Sequence, residues 1–147
     1  MSAEVVIRAF EPADWPGVEA VWAACGLGGR VRGDDAEVIE RTLRADGAFL
    51  VLCARAGGEV IGTSWLTCDA RRMYLHHFGV LPAHQGRGLG RLLLDATLAV
   101  VVRRGLQVKL EVARDNVRAI ALYEKAGFAP LGDYASFIVR DVSALAR

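Results

Sequence analysis

A glycine-rich run, Gln85-Gly86-Arg87-Gly88-Leu89-Gly90, lies between an apolar stretch and an amphipathic one. Met73 to Val80 before it reads as a strand, stopped by Pro82. After it, Leu89, Leu92, Leu93, Ala96 and Val100 recur at the spacing of one helical face. Such a turn leaves backbone N–H groups unpaired at the positive end of a helix, which makes an anion site. The chemistry to expect there is the holding of a phosphate group, and three ligands compete for it. A dinucleotide site asks for G-x-G-x-x-G and an acidic residue about twenty positions on, whereas the glycines here run G-x-G-x-G. A triphosphate loop asks for G-x-x-x-x-G-K-[ST], and no Lys-Ser or Lys-Thr follows. A diphosphate cradle of the coenzyme A type, Q/R-x-x-G-x-G/A, is filled by Gln85, Gly88 and Gly90.

A second segment, Asn116-Val117-Arg118-Ala119-Ile120-Ala121-Leu122-Tyr123-Glu124-Lys125-Ala126-Gly127-Phe128, follows the strand-like Val108 to Val112. It resembles the N-x-x-A-x-x-L-Y-x-x-x-G-F segment of the GCN5-related N-acetyltransferase (GNAT) family, and the glycine turn precedes it at the separation that family uses. The resemblance covers residues 48 to 130. It is strongest to the bacterial ribosomal-protein N-terminal acetyltransferase type, notably in Leu110-Glu111-Val112, while the first 45 residues match only in outline.

The resemblance implies an α/β fold, a GNAT-type mixed and mainly antiparallel sheet flanked by helices. It implies acetyl-CoA as cosubstrate and transfer of an acetyl group to a primary amine: a peptide N-terminus, a lysine or a small amine. In its terms the main-chain donors of Gly86, Arg87, Gly88, Leu89, Gly90 and Arg91 meet the pyrophosphate. The Arg87 and Arg91 side chains either add charge there or are simply solvated. Phe78, Gly79 and Val80 pair their backbone with the pantetheine arm, and the N–H near Val80 polarises the thioester carbonyl. Asn116 caps its helix and bonds the same arm. Tyr123 is the general acid, and Glu111 the base that takes the amine's proton, directly or through water.

The residues themselves bear on these roles. Tyr123 stands seven positions after Asn116, two helical turns, so both point to one side. A tyrosine hydroxyl, pKa about 10, can donate to a departing thiolate whose conjugate acid lies near 8.5. Gln107, Lys109 and Glu111 alternate with Val108, Leu110 and Val112. They form either a solvated strand face or, beside a cleft, a covered one whose carboxylate is raised in pKa and poised as a base. His76 and His77 are rival bases, and strand alternation expects one on each side of the strand. Cys25, Cys53 and Cys68 are odd in number, without C-x-x-C spacing, and read as reduced, mostly buried thiols. None has a paired His/Asp pattern, so attack is expected directly in a ternary complex and not through an acyl-cysteine. No His/Cys/Asp cluster has metal-ligand spacing, and no metal is expected. The alternative is a non-catalytic acyl-CoA-binding sensor or partner module; Asn116, Tyr123 and Glu111 argue against it, since binding alone requires neither acid nor base.

The rest of the chain has to position these groups. At 147 residues and 53% hydrophobic composition, residues 1–147 read as a single domain with a sizeable core. A net charge of +1 gives no electrostatic case for nucleic acid or an anionic membrane. The start, Met1-Ser2-Ala3-Glu4, does not read as a secretory signal, and no apolar run is long enough to span a bilayer, so a cytoplasmic location is expected. Strands are predicted over Val5–Ala9, Ala48–Ala54, Glu59–Leu66, Arg72–Val80, Gln107–Ala113 and Tyr134–Asp141. Helices are predicted from Glu11 to the glycine-rich loop at Cys25, over Asp34–Arg44, after the turn to Arg104, and from Asn116 to Gly127. The N-terminal helices, the Gly26-to-Gly33 loop and the last two strands should build the acceptor site. Arg30, Arg32, Asp34 and Asp35 either orient a charged acceptor there or form a solvated loop. An exposed final strand would allow a homodimer.

Overall fold

The computed structural model describes residues 4–55 and 57–146, so most of the opening Met1-Ser2-Ala3-Glu4 lies outside it. Five strands form one sheet in chain order: β1 (Val6–Ala9), β2 (Ala48–Cys53), β3 (Val60–Cys68), β4 (Arg72–Val80) and β5 (Gln107–Leu110). The first three pairings are antiparallel. The last, β4 with β5, is parallel, with Arg72 opposite Gln107 and Leu75 opposite Leu110. Short connections join β2 to β3 and β3 to β4, residues 10–47 separate β1 from β2, and the parallel step needs a crossover. That crossover is α3 (Leu89–Arg104), which the glycine turn starts and Gly105 ends in a left-handed conformation.

Alternation along β2 sorts the two faces of the sheet. Phe49, Val51 and Cys53 join Val18, Val21, Trp22, Ile39 and Trp65 under α1 (Trp15–Cys25) and α2 (Ala36–Arg44). On the other face Leu52 packs with Ile61, Val80, Leu89 and Leu93, and Leu66, Met73 and Leu75 pack with Leu94 and Tyr123. Burial of this apolar surface on both faces is the main force holding helices to sheet. Pro12–Asp14 forms a 3-10 turn ahead of α1, where the sequence predicts a helix from Glu11. Asp35 caps α2 by accepting from the Val38 N–H, so that helix starts two residues later than expected.

Three expectations are corrected. The ladder of the strand predicted over Gln107–Ala113 stops at Leu110, because β4 and the chain after β5 part there. Tyr134–Asp141 forms no strand: residues 129–141 run without regular structure, and Val142–Leu145 is a 3-10 turn. Pro130 offers no donor at the entry to that segment, and Gly132, at φ +131°, bends it. His76 and His77 do not face opposite sides of β4. Both rings meet Trp65, at 5.7 Å between ring centroids. The cause is a bulge: two steps from Trp65 to Thr63 on β3 match three from His76 to Gly79 on β4. His77 takes up the extra residue at φ +43°, which resets the alternation.

Candidate active site

The parting of β4 and β5 opens a cleft of about 900 Å³, at the upper end of the range for small-molecule sites. Its floor is the free edge of β4 beyond Leu75. Phe78, Gly79 and Val80 line it, and their outer main-chain groups have no strand beside them among the described residues. The Val80 carbonyl instead accepts from Gln85 Nε2 at 2.9 Å and from the Cys25 thiol at 3.4 Å. A Cβ on Gly79 would stand 3.3 Å from both Cys25 Sγ and Leu27 Cδ1, so those side chains would have to give by a few tenths of an ångström.

The glycine turn closes one end of the cleft. Gly86 and Gly88 take φ of +79° and +78°, and a Cβ at either would point into open space. Gly88 is the N-cap of α3 and carries no side-chain cap. The first main-chain donor bonded within the helix is Leu92, to Gly88 O at 3.1 Å. Among the described residues the six N–H groups from Gly86 to Arg91 have no main-chain acceptor. Unpaired donors at a helix start are the requirement for anion binding. Gln85, Gly86, Gly88, Leu89, Gly90 and Arg91 line the cleft. Gln85 braces the turn: while its amide holds Val80, its Oε1 accepts from Arg118 at 3.4 Å. Arg91 is paired with Asp95 at 2.9 Å. Arg87 alone of the expected site residues is absent from the wall, its guanidinium reaching His84 Nδ1 at 3.2 Å.

The opposite wall comes from the second motif. Asn116 caps α4 (Val117–Lys125), its Oδ1 accepting from the Ala119 N–H, and it lines the cleft. Tyr123, two turns on, lines the same cleft with its ring wedged edge-on against Phe78 and Phe128, at 6.0 and 5.7 Å between centroids. Burial pushes its hydroxyl up to about 12. Glu111 follows β5 and also lines the cleft. It is exposed, which is the solvated of the two alternatives its strand pattern allowed. The Ser136 hydroxyl donates to its Oε1 at 3.4 Å.

At the other end, the bulge ties the sheet to the loop between α1 and α2. His77 Nε2 meets Asp34 Oδ2 at 2.7 Å, and the His77 ring packs on Trp22 at 4.3 Å. Trp22 Nε1 donates to Thr63 Oγ1 at 3.1 Å, and that hydroxyl donates to the His77 carbonyl at 2.7 Å. His76 Nε2 bonds Thr67 Oγ1, and burial holds its pKa below the usual histidine value. Arg32 lines the cleft, whereas the Arg30 side chain lies outside the described residues. Cys25 and Tyr74 in the wall were not anticipated as site residues. Their spacing carries no signal, since they meet the cleft only once α1 lies across β4. We expect Thr63→Val, nearly isosteric, to strand the buried Trp22 N–H and the His77 carbonyl together. The cost should be about 2–4 kcal/mol in urea unfolding; an unchanged midpoint would show that this chain of bonds does not hold the bulge.

The sequence model of the acetyltransferase (GNAT) family matches residues 15–128. The chain belongs to that family. A mycothiol acetyltransferase from Beutenbergia cavernae is 43% identical to it over 82 residues, 54% of this chain. This chain spans only 28% of that relative's length. Among solved structures, an acetyltransferase from Streptococcus agalactiae superposes with a TM-score of 0.77 at 18% identity, covering 96% of this chain and 94% of the other. The Salmonella typhimurium protein yncA, solved with its cofactor acetyl-CoA, superposes with a TM-score of 0.71 at 21% identity, covering 88% and 82%. At such identities the likeness is one of fold, and the fold is that of the GNAT family. No helix among the described residues is long and apolar enough to cross a membrane.

Proposed function

We propose that this chain moves an acetyl group from acetyl-CoA to a primary amine, with both substrates held in the one cleft. The observation that carries this reading is the separation of β4 from β5, which opens a bare strand edge into the same cleft as the glycine turn and Tyr123. Acetyl-CoA supplies an activated thioester; the protein binds, aligns and moves protons. The N–H groups of Gly86 to Arg91 hold the diphosphate. The edge at Phe78, Gly79 and Val80 takes the pantetheine arm as an added strand. The N–H near Val80 polarises the thioester carbonyl, and the Asn116 amide bonds the same arm. Tyr123 donates to the departing thiolate. Glu111, directly or through water, takes the proton of the incoming amine. Burial pushes the Cys25 thiol up, away from the thiolate that an acyl-cysteine route needs, which supports direct attack.

The acceptor class is a primary amine: a peptide N-terminus, a lysine or a small amine. The test is release of free thiol from acetyl-CoA across a panel of such amines, including peptides that begin in different residues. Amine-dependent release is the expected result. Binding of acetyl-CoA without release by any amine would leave a sensor or partner module and overturn the reading. Glu111→Gln should lower turnover about a hundredfold at neutral pH. An α-amino group loses its own proton near pH 8, so with such an acceptor the deficit should shrink above about pH 9. An equal deficit at every pH would make Glu111 a binding residue and not a base.

A further inference from the structure

Three arginines reach the wall of the cleft among the described residues, and they are not alike. Arg91 is paired with Asp95, and Arg118 donates to Gln85. Arg32 makes no hydrogen bond or ion pair among the described residues. The acids that follow it in the loop are engaged elsewhere: Asp34 meets His77 Nε2 at 2.7 Å, and Asp35 accepts from the Val38 N–H. The charge of Arg32 is therefore free for a ligand. The loop also sets that charge in place. The Leu27 N–H donates to Trp22 O at 2.9 Å and the Asp34 N–H to Gly29 O at 3.1 Å, which pins both of its ends. Gly28, at φ +97°, lets the Arg32 side chain lie down on the main chain, since a Cβ there would stand 2.5 Å from Nε and 2.6 Å from Cδ. The residue before it, Leu27, packs against β4 at Gly79. A side chain already laid down loses less freedom on binding than one loose in solvent.

We propose, on the acetyl-transfer reading above, that the acceptor carries a carboxylate within a few bonds of its amine, and that Arg32 grips this group and turns the amine toward Glu111. The anions of coenzyme A do not need this arginine, because in that reading they lie at the glycine turn, and the loop of Arg32 meets the cleft at the other end, beside His77. Among the described residues the wall holds one carboxylate, Glu111. Burial lowers the pKa of His76 in the same wall, and the charges of Asp34 and Glu111 both oppose it, so the two acids stand around one ring. Asp34 is two residues from Arg32, which brings a free cation and a free carboxylate to one part of the cleft. That pairing is complementary to an amine and a carboxylate on one molecule. A guanidinium presents its donors as a planar fork that fits the two oxygens of a carboxylate. Two sources offer this chemistry, a free amino acid and a peptide whose first residue is acidic. Arg32 sets specificity here and takes no part in the proton transfers.

Thiol release from acetyl-CoA should be followed with alanine and phenylalanine against their amides, and with Asp-Ala amide against Asn-Ala amide. The charged member of at least one pair should exceed its neutral partner by about tenfold or more in kcat/KM. The neutral partner's amine is the less basic, having lost a charged neighbour, so amine availability works against this preference and cannot produce it. Arg32→Gln, a change at an exposed position, should cut the ratio at least about tenfold through the acceptor KM. Arg32→Lys, which keeps the charge without the fork, should restore only part of it. A preference within the amino-acid pairs alone names a free amino acid, and one within the dipeptide pair alone names an acidic peptide start. Equal use of charged and neutral partners by the wild type, or a preference that survives Arg32→Gln, overturns the proposal and leaves acetyl transfer standing. A variant whose main loss is in calorimetric affinity for acetyl-CoA would move Arg32 to the cosubstrate and overturn it as well. No release with any amine, charged or neutral, would defeat the transfer reading itself and this proposal with it.

Discussion

Tyr123→Phe should lower turnover tenfold to a thousandfold and leave acetyl-CoA affinity nearly unchanged. The substitution removes one oxygen and keeps the ring. The edge-on contacts with Phe78 and Phe128 that wedge Tyr123 into the wall of the cleft therefore survive, and with them the local fold. What is lost is the hydroxyl of a residue that lines the cleft, the proposed proton donor. Burial raises its pKa to about 12, so the phenol stays protonated at any working pH and the donor is always loaded. The same burial opposes a lasting phenolate. Donation to the thiolate must then run together with return of a proton from the amine side, and the wild type should show no alkaline loss from this group below about pH 11. The measurement is the split between kcat and the KM for acetyl-CoA. Wild-type turnover in the variant would take Tyr123 out of the mechanism; a rise in KM at constant kcat would make it a binding residue.

How far the sequence foretold this arrangement depends on how local each cause is. The limits of β4 are set by nearest neighbours, and the pattern alone predicts them, whereas β2 is apolar at every position, so its sequence predicts a buried strand without assigning its faces. The glycine turn is legible for the same reason, since Gly86 and Gly88 hold conformations that other residues avoid. The bulge is different. His77 takes a positive φ that no sequence rule assigns to histidine, held by Thr63, Trp22 and Asp34 from three other places in the chain. Where β5 stops was also hidden. Val112 and Ala113 continue the strand pattern, but β4 has turned away and no partner backbone is left beside them. For Tyr134–Asp141 the propensity is plain in the residues, and what the pattern cannot tell is which edge, if any, lies alongside.

Gly88→Asp should abolish most coenzyme A binding while the fold stands, and it separates the main-chain nest from every other contact in the cleft. Gly88 sits at φ +78°, where aspartate is among the better tolerated replacements, at a cost of about 1–2 kcal/mol. Its Cβ would meet nothing within 4 Å, so no packing is disturbed. The new carboxylate stands at the N-cap of α3, where it can accept from the unpaired N–H groups of the first turn and recover part of that cost. Stability should therefore change little. Binding should change much, because the donors proposed to hold a diphosphate would be satisfied within the chain and a negative charge would face the incoming phosphates. Two unit charges some 4 Å apart repel by about 4 kcal/mol near a protein surface, and losing even three of these raises Kd more than a hundredfold. Calorimetric titration with coenzyme A, beside thermal unfolding of the free variant, reads both quantities. A Kd within a factor of three of wild type would mean that the turn is a plain connection and that the ligand is held elsewhere; a collapse in melting temperature would instead mark Gly88 as essential to the fold, with Gly86→Asp then carrying the same test two residues outside the N-cap.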